Sequence, residues 1–165
     1  MSIRFSIFFC LMVLVQFGFT QESIAELLEE YNDNSVPYIS VEELKQEQDH
    51  FILDAREKPE FLISHLKGAI HVGYDRFDMD RITILIPNKD QRIVVYCSIG
   101  IRSEDIAEKL LKEGYTNVYN LFGGIFEWKN NNNAIFDLQN EETEKIHAFS
   151  ESWGKWLLKG EKVYD

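Results

Sequence analysis

Ile93-Val94-Val95-Tyr96-Cys97-Ser98-Ile99-Gly100-Ile101-Arg102-Ser103 decides the fold, with the Glu104-Asp105-Ile106-Ala107-Glu108-Lys109-Leu110-Leu111-Lys112-Glu113-Gly114 that follows it. Ile93 to Tyr96 is a β-branched run with no polar alternation, as in a strand buried on both faces. Downstream, Ile106, Ala107, Leu110 and Leu111 recur at helical spacing, and Gly114 stands where a helix C-cap belongs. Between strand and helix lies a short loop that begins with Cys97 and ends near Arg102. A loop joining a buried parallel strand to a helix lies at the carboxyl end of the sheet, where open α/β folds bind ligands.

The order of residues in that loop carries chemistry. Main-chain N–H groups of the loop and of the first helical turn have no intrahelical partners and can converge on an anion. A thiolate at Cys97 would be stabilised by those donors, by the helix dipole and by Arg102. Glu104 and Asp105 suit a helix N-terminus but work against a nearby thiolate. Gly100 allows a turn that other residues resist. A lone cysteine at a strand end is more often a small buried apolar residue. The strand, Cys97, Gly100, Arg102 and helix taken together favour a reactive one.

The loop resembles the active-site loop of rhodanese-like sulfurtransferase domains. Phe51-Ile52-Leu53-Asp54-Ala55-Arg56-Glu57-Lys58-Pro59-Glu60-Phe61 and His65-Leu66-Lys67-Gly68-Ala69-Ile70-His71-Val72 resemble that family's first signature. Gly114-Tyr115-Thr116-Asn117-Val118-Tyr119-Asn120-Leu121-Phe122-Gly123-Gly124-Ile125-Phe126-Glu127-Trp128 resembles its closing strand and glycine-led helix. The resemblance runs from about Tyr38 to Trp128. It implies a three-layer α/β fold with a mostly parallel five-stranded sheet and helices on both faces, which the alternating strand and helix pattern also suggests. A C-terminal helical extension is expected after it.

The resemblance further implies sulfur transfer. Cys97 would take sulfane sulfur from a donor such as thiosulfate, become a persulfide, and pass the sulfur to cyanide or a thiol. Ser98, Ile99, Gly100, Ile101, Arg102 and Ser103 would bind substrate, through loop amides and the Arg102 charge. Asp54 and Arg56 would support the loop. No cofactor and no metal are expected. His65 and His71 lack companion ligands at metal-binding spacing and are expected to be structural. Two other readings are a sulfur-carrying or protein-binding module without turnover, and a phosphatase or arsenate reductase. The latter also uses a Cys-to-Arg loop, but Cys97 to Arg102 is short for encircling a tetrahedral oxyanion.

Composition narrows the partners. The 165 residues hold 28 acidic against 17 basic side chains, for a net charge of −11. Such a surface argues against nucleic acid and anionic membranes, and it repels anionic substrates at long range. The expected partners are a small anionic sulfur donor and a thiol or cyanide acceptor, with a protein sulfur partner allowed. Arg4 followed by the apolar Ile7–Val15 reads as a signal peptide over residues 1–20, cut near Thr20–Gln21. That makes the protein exported, periplasmic or secreted, with no membrane association after cleavage; an uncleaved membrane anchor is the alternative. With Cys10 removed, Cys97 is the only cysteine, and a lone thiol in an oxidising compartment favours a used one.

The remaining chain divides simply. Residues 21–37 form a helical lead-in, with Ile24, Leu27, Leu28 and Tyr31 at helical spacing. Residues 38–133 form the rhodanese-like domain. It opens with a short strand at Pro37-Tyr38-Ile39 and a capping box from Ser40 to Glu43, and ends on four asparagines, Asn130 to Asn133. Residues 134–165 form an extension in which Glu141–Leu158 reads as helix, its aromatics packing back on the domain.

Overall fold

The computed structural model describes residues 23–164. The signal-peptide reading of residues 1–20 lies outside them. No helix among the described residues is long and apolar enough to cross a membrane.

Helix α1 spans Ile24–Tyr31, closed at its start by a capping box between Ser23 and Glu26. Strand β1 (Tyr38–Ile39) leads into α2 (Val41–Gln46), which the Ser40–Glu43 capping box opens. Then come β2 (His50–Asp54), α3 (Lys58–Ile63) with Pro59 in its first turn, and β3 (Ile70–His71). Helix α4 (Met79–Leu85) stops before Pro87, which disfavours helix in the residue preceding it. Strand β4 (Arg92–Tyr96), α5 (Ile101–Lys112), β5 (Val118–Leu121) and α6 (Gly124–Asn130) complete the domain.

The five strands form one all-parallel sheet in the order β1-β5-β4-β2-β3. Strand β4 is central, which is why it reads as unbroken hydrophobic sequence. Its side chains alternate between two cores. Val94 and Tyr96 pack with Leu27 and Leu28 of α1, Val41 of α2 and Phe126 of α6. Ile93 and Val95 pack on the other face with Ile82 of α4 and Ile106, Ala107 and Leu110 of α5. The molecule is therefore a three-layer α/β fold with helices on both faces of the sheet.

The C-terminal segment departs from the helix expected over Glu141–Leu158. It contains β6 (Ile135–Phe136), β7 (Glu142–Thr143), β8 (Lys145–His147), the single-turn α7 (Glu151–Gly154) and β9 (Glu161–Val163). β6 pairs antiparallel with β7, and β8 pairs parallel with β9. β9 lies after the stretch whose spacing looked helical, so its pairing with β8 was not visible in that window. Phe149, at φ +65°, then turns the chain out of any helical path. Ile146, Ala148 and Leu157 still reach the first core: apolar spacing of this kind is satisfied by a strand and a turn as well as by a helix.

Candidate active site

Strand β4 delivers Cys97 to the carboxyl edge of the sheet. The chain then turns at Gly100, the N-cap of α5, whose φ of 128° is costly for a residue with a side chain. The turn aims the Gly100 N–H back at Cys97 Sγ, at 3.1 Å. The Ser103 hydroxyl, from the first turn of α5, reaches both Asn120 Oδ1 (2.7 Å) and Cys97 Sγ (3.5 Å). Its single proton goes to the shorter contact. Asn120, fully buried on β5, donates its amide to the Gly100 carbonyl at 2.7 Å, and Asn32 donates to the same oxygen at 3.0 Å. Two amides therefore hold Gly100, the residue whose N–H meets the sulfur, by its carbonyl.

Helix α6 clamps the loop from the other side. Ile125 N–H donates to the Cys97 carbonyl (3.0 Å) and Phe126 N–H to the Ser98 carbonyl (3.1 Å). This approach requires glycine at 124: a Cβ there would lie 2.3 Å from the Cys97 carbonyl oxygen, and φ is +56°. Gly124 thus permits α6 to pack closely against the loop itself.

Arg102 is committed within the protein. Its guanidinium donates to both Glu60 oxygens, at 2.7 and 2.8 Å, and to Ser98 Oγ at 3.0 Å. Burial by itself would raise the Glu60 carboxyl, but the Arg102 hydrogen bonds and charge, with the Arg56 charge, outweigh it and hold it below the usual range. Sequence reading made Arg102 the local source of positive potential. Glu60 offsets that charge, and a pairing across 42 positions leaves no local signal.

Asp54 and Arg56 stand beneath the loop. Their bidentate ion pair is wholly buried, with Arg56 Nη2 2.6 Å from Asp54 Oδ2. Arg56 also donates to the Ser64 carbonyl (2.7 Å), and the Tyr96 hydroxyl donates to Asp54 Oδ2. Burial and the Asp54 charge push the Tyr96 phenol well above its ordinary range, so it keeps that proton. The pair thus anchors the residue immediately before Cys97. The histidines stand apart: His65 Nδ1 lies 3.3 Å from the Phe61 carbonyl and His71 Nε2 2.9 Å from that of Arg56.

Above the sulfur is a cleft of about 130 Å³, lined by Cys97, Ser98, Ile99, Ile101, Arg102, Phe149 and Trp153. The last two come from the C-terminal segment. Of the predicted site residues, Cys97, Ser98, Ile99, Ile101 and Arg102 meet in this cleft, while Gly100 and Ser103 contact the sulfur from below. Glu60 and Asn120 were missed as site residues, whereas the C-terminal aromatics Phe149 and Trp153, expected to pack back on the domain, also line the cleft.

A family model described as Rhodanese-like domain matches residues 40–131. The chain belongs to the rhodanese-like domain family. Among similar proteins, the tRNA uridine(34) hydroxylase of Staphylococcus haemolyticus is 43% identical over 95 residues, covering 53% of this chain and 29% of that protein. The adenylyltransferase and sulfurtransferase UBA4 of Lodderomyces elongisporus is 31% identical over 98 residues, 55% of this chain and 22% of the relative. The crystal structure of a thiosulfate sulfurtransferase from Pseudomonas aeruginosa aligns at a TM-score of 0.59 with 25% identity, over 79% of this chain and 25% of that one. The rhodanese-like chain thus spans less than a third of the length of these relatives. They also correct one expectation. Several are named as enzymes of tRNA, which is modified inside the cell, so the reading of an exported, periplasmic or secreted protein is overturned. The inference from a lone thiol in an oxidising compartment falls with it.

Proposed function

We propose that this rhodanese-like chain is a sulfurtransferase that carries sulfane sulfur as a persulfide on Cys97. The observation that carries the reading is Cys97 Sγ at the floor of a cleft, accepting the Gly100 N–H at 3.1 Å at the N-terminus of α5. The Cys97 thiolate attacks the sulfane sulfur of a donor R–S–SH. A new S–S bond forms, the donor's S–S bond breaks, and its electron pair leaves on R–S⁻; with thiosulfate the leaving group is sulfite. Cyanide or an acceptor thiolate then attacks the outer sulfur and returns Cys97 to a thiolate. The Gly100 N–H and the α5 dipole stabilise the anionic sulfur at both stages. Loop amides are fixed in advance by Asn120, Asn32 and the start of α6, so little reorganisation accompanies the transfer.

The test is intact-mass analysis of the full chain after exposure to sodium tetrasulfide, beside Cys97→Ala. Gain of one sulfur by the parent alone, discharged by cyanide as thiocyanate, is the expected result. No added sulfur on the parent protein, or equal addition to the variant, refutes sulfur transfer through Cys97.

A further inference from the structure

Resting on sulfur transfer at Cys97, we propose that the cleft selects an organic sulfane-sulfur donor whose apolar group is about the size of a benzene ring, with Phe149 and Trp153 as the specificity-determining residues. Size is the first support. The cleft measures about 130 Å³, close to an engineered apolar cavity of about 150 Å³ that takes benzene. Charge is the second. Ile99, Ile101, Phe149 and Trp153 supply hydrocarbon around the sulfur, and Arg102, the one cation lining the cleft among the described residues, is paired with both oxygens of Glu60. A doubly charged donor meets a neutralised ion pair and apolar walls, where an unpaired charge is costly.

Backbone conformation is the third support. Among the described residues, the other non-glycine positions with positive φ are Asn or Asp, types that tolerate it. Phe149, at φ +65°, is the exception. It is held there by its N–H donating to His147 Nδ1 (3.1 Å) and by the Arg102 guanidinium 4.9 Å from its ring centre. Strained backbone persists where surrounding structure over-determines it, and such positions cluster at ligand sites. This one places a half-exposed ring beside the reactive sulfur. Trp153 is set by an edge contact with Tyr31 of α1, ring centres 5.8 Å apart. Thus α1, the loop and the C-terminal segment together shape the aromatic wall.

The experiment compares three donors on the full chain, with cyanide as acceptor: benzenethiosulfonate, methanethiosulfonate and thiosulfate. The first two carry one charge each and release a sulfinate as the sulfane sulfur passes to Cys97, so their ratio isolates the ring. The expected kcat/KM is about tenfold or more higher for benzenethiosulfonate than for methanethiosulfonate, the scale of burying a ring in an apolar pocket. Phe149→Gly, which keeps the left-handed backbone accessible, and Trp153→Leu each bring that ratio towards one. The ratio is internal to each preparation, so a smaller folded fraction cancels. Equal turnover of the two sulfonates by the parent, or a preference for thiosulfate, overturns the specificity and leaves sulfur transfer standing. A ratio unchanged in both variants overturns the assignment to Phe149 and Trp153. Absence of persulfide with all three donors and with tetrasulfide removes the sulfur-transfer reading and this one with it.

Discussion

Glu60 shows how much of the site depends on one pairing. Its carboxyl is held below the ordinary range by Arg102, so its stabilising effect is full above that range. It fades as pH falls through the depressed value, where the carboxyl gains a proton. Glu60→Gln should therefore cost about 2 kcal/mol at neutral pH, the scale of a hydrogen bond to a charged group. The gap to the parent should close in acid. Urea midpoints at neutral and acidic pH measure this; a gap independent of pH would mean that Glu60 acts through packing. At this scale the sequence was partly readable. Cys97, Gly100 and Arg102 announced themselves by order along the chain, because their arrangement is local. The Glu60–Arg102 pair and the Asn120 anchor join residues 42 and 20 positions apart, and nothing in either segment names its partner.

Whole elements were legible where a local rule governs them. The unbroken run in β4 gave a central strand, the apolar spacing from Ile24 to Tyr31 gave α1, and the Ser40 capping box gave the start of α2. The C-terminal segment was misread because strand pairing with a later stretch overrode the apparent helical period. Helix α6 illustrates an element serving another element. Its first amides hold the carbonyls of Cys97 and Ser98, and Gly124 makes the approach feasible. Gly124→Ala combines a left-handed φ with a Cβ 2.3 Å from a carbonyl oxygen. We expect a loss of at least about 2 kcal/mol in stability, with slower persulfide formation per folded molecule as the loop shifts. Chemical denaturation and mass-resolved persulfidation check the two parts. Parent-like values in both would show that α6 does not set the loop.

The molecule as a whole carries a net charge of −11, and its field acts on charged donors before they reach the cleft. Screening weakens that repulsion. The rate of Cys97 persulfidation by thiosulfate should therefore rise severalfold between ionic strengths of about 10 and 150 mM, while an uncharged donor should show no such trend. Stopped-flow measurement of both across a salt series tests it; a thiosulfate rate that falls with salt would place an attractive field at the site. The cover of the cleft adds a different consequence. Phe149 and Trp153 lie beyond residues 40–131, the span shared with the family, whereas the loop that holds the sulfur lies wholly inside it. The cradle of the sulfur and the cover of the cleft are thus written in separate stretches of one chain. Changes after residue 131 can alter which molecules reach the Cys97 sulfur while leaving its amide cradle intact, so the two properties are free to diverge at different rates over descent.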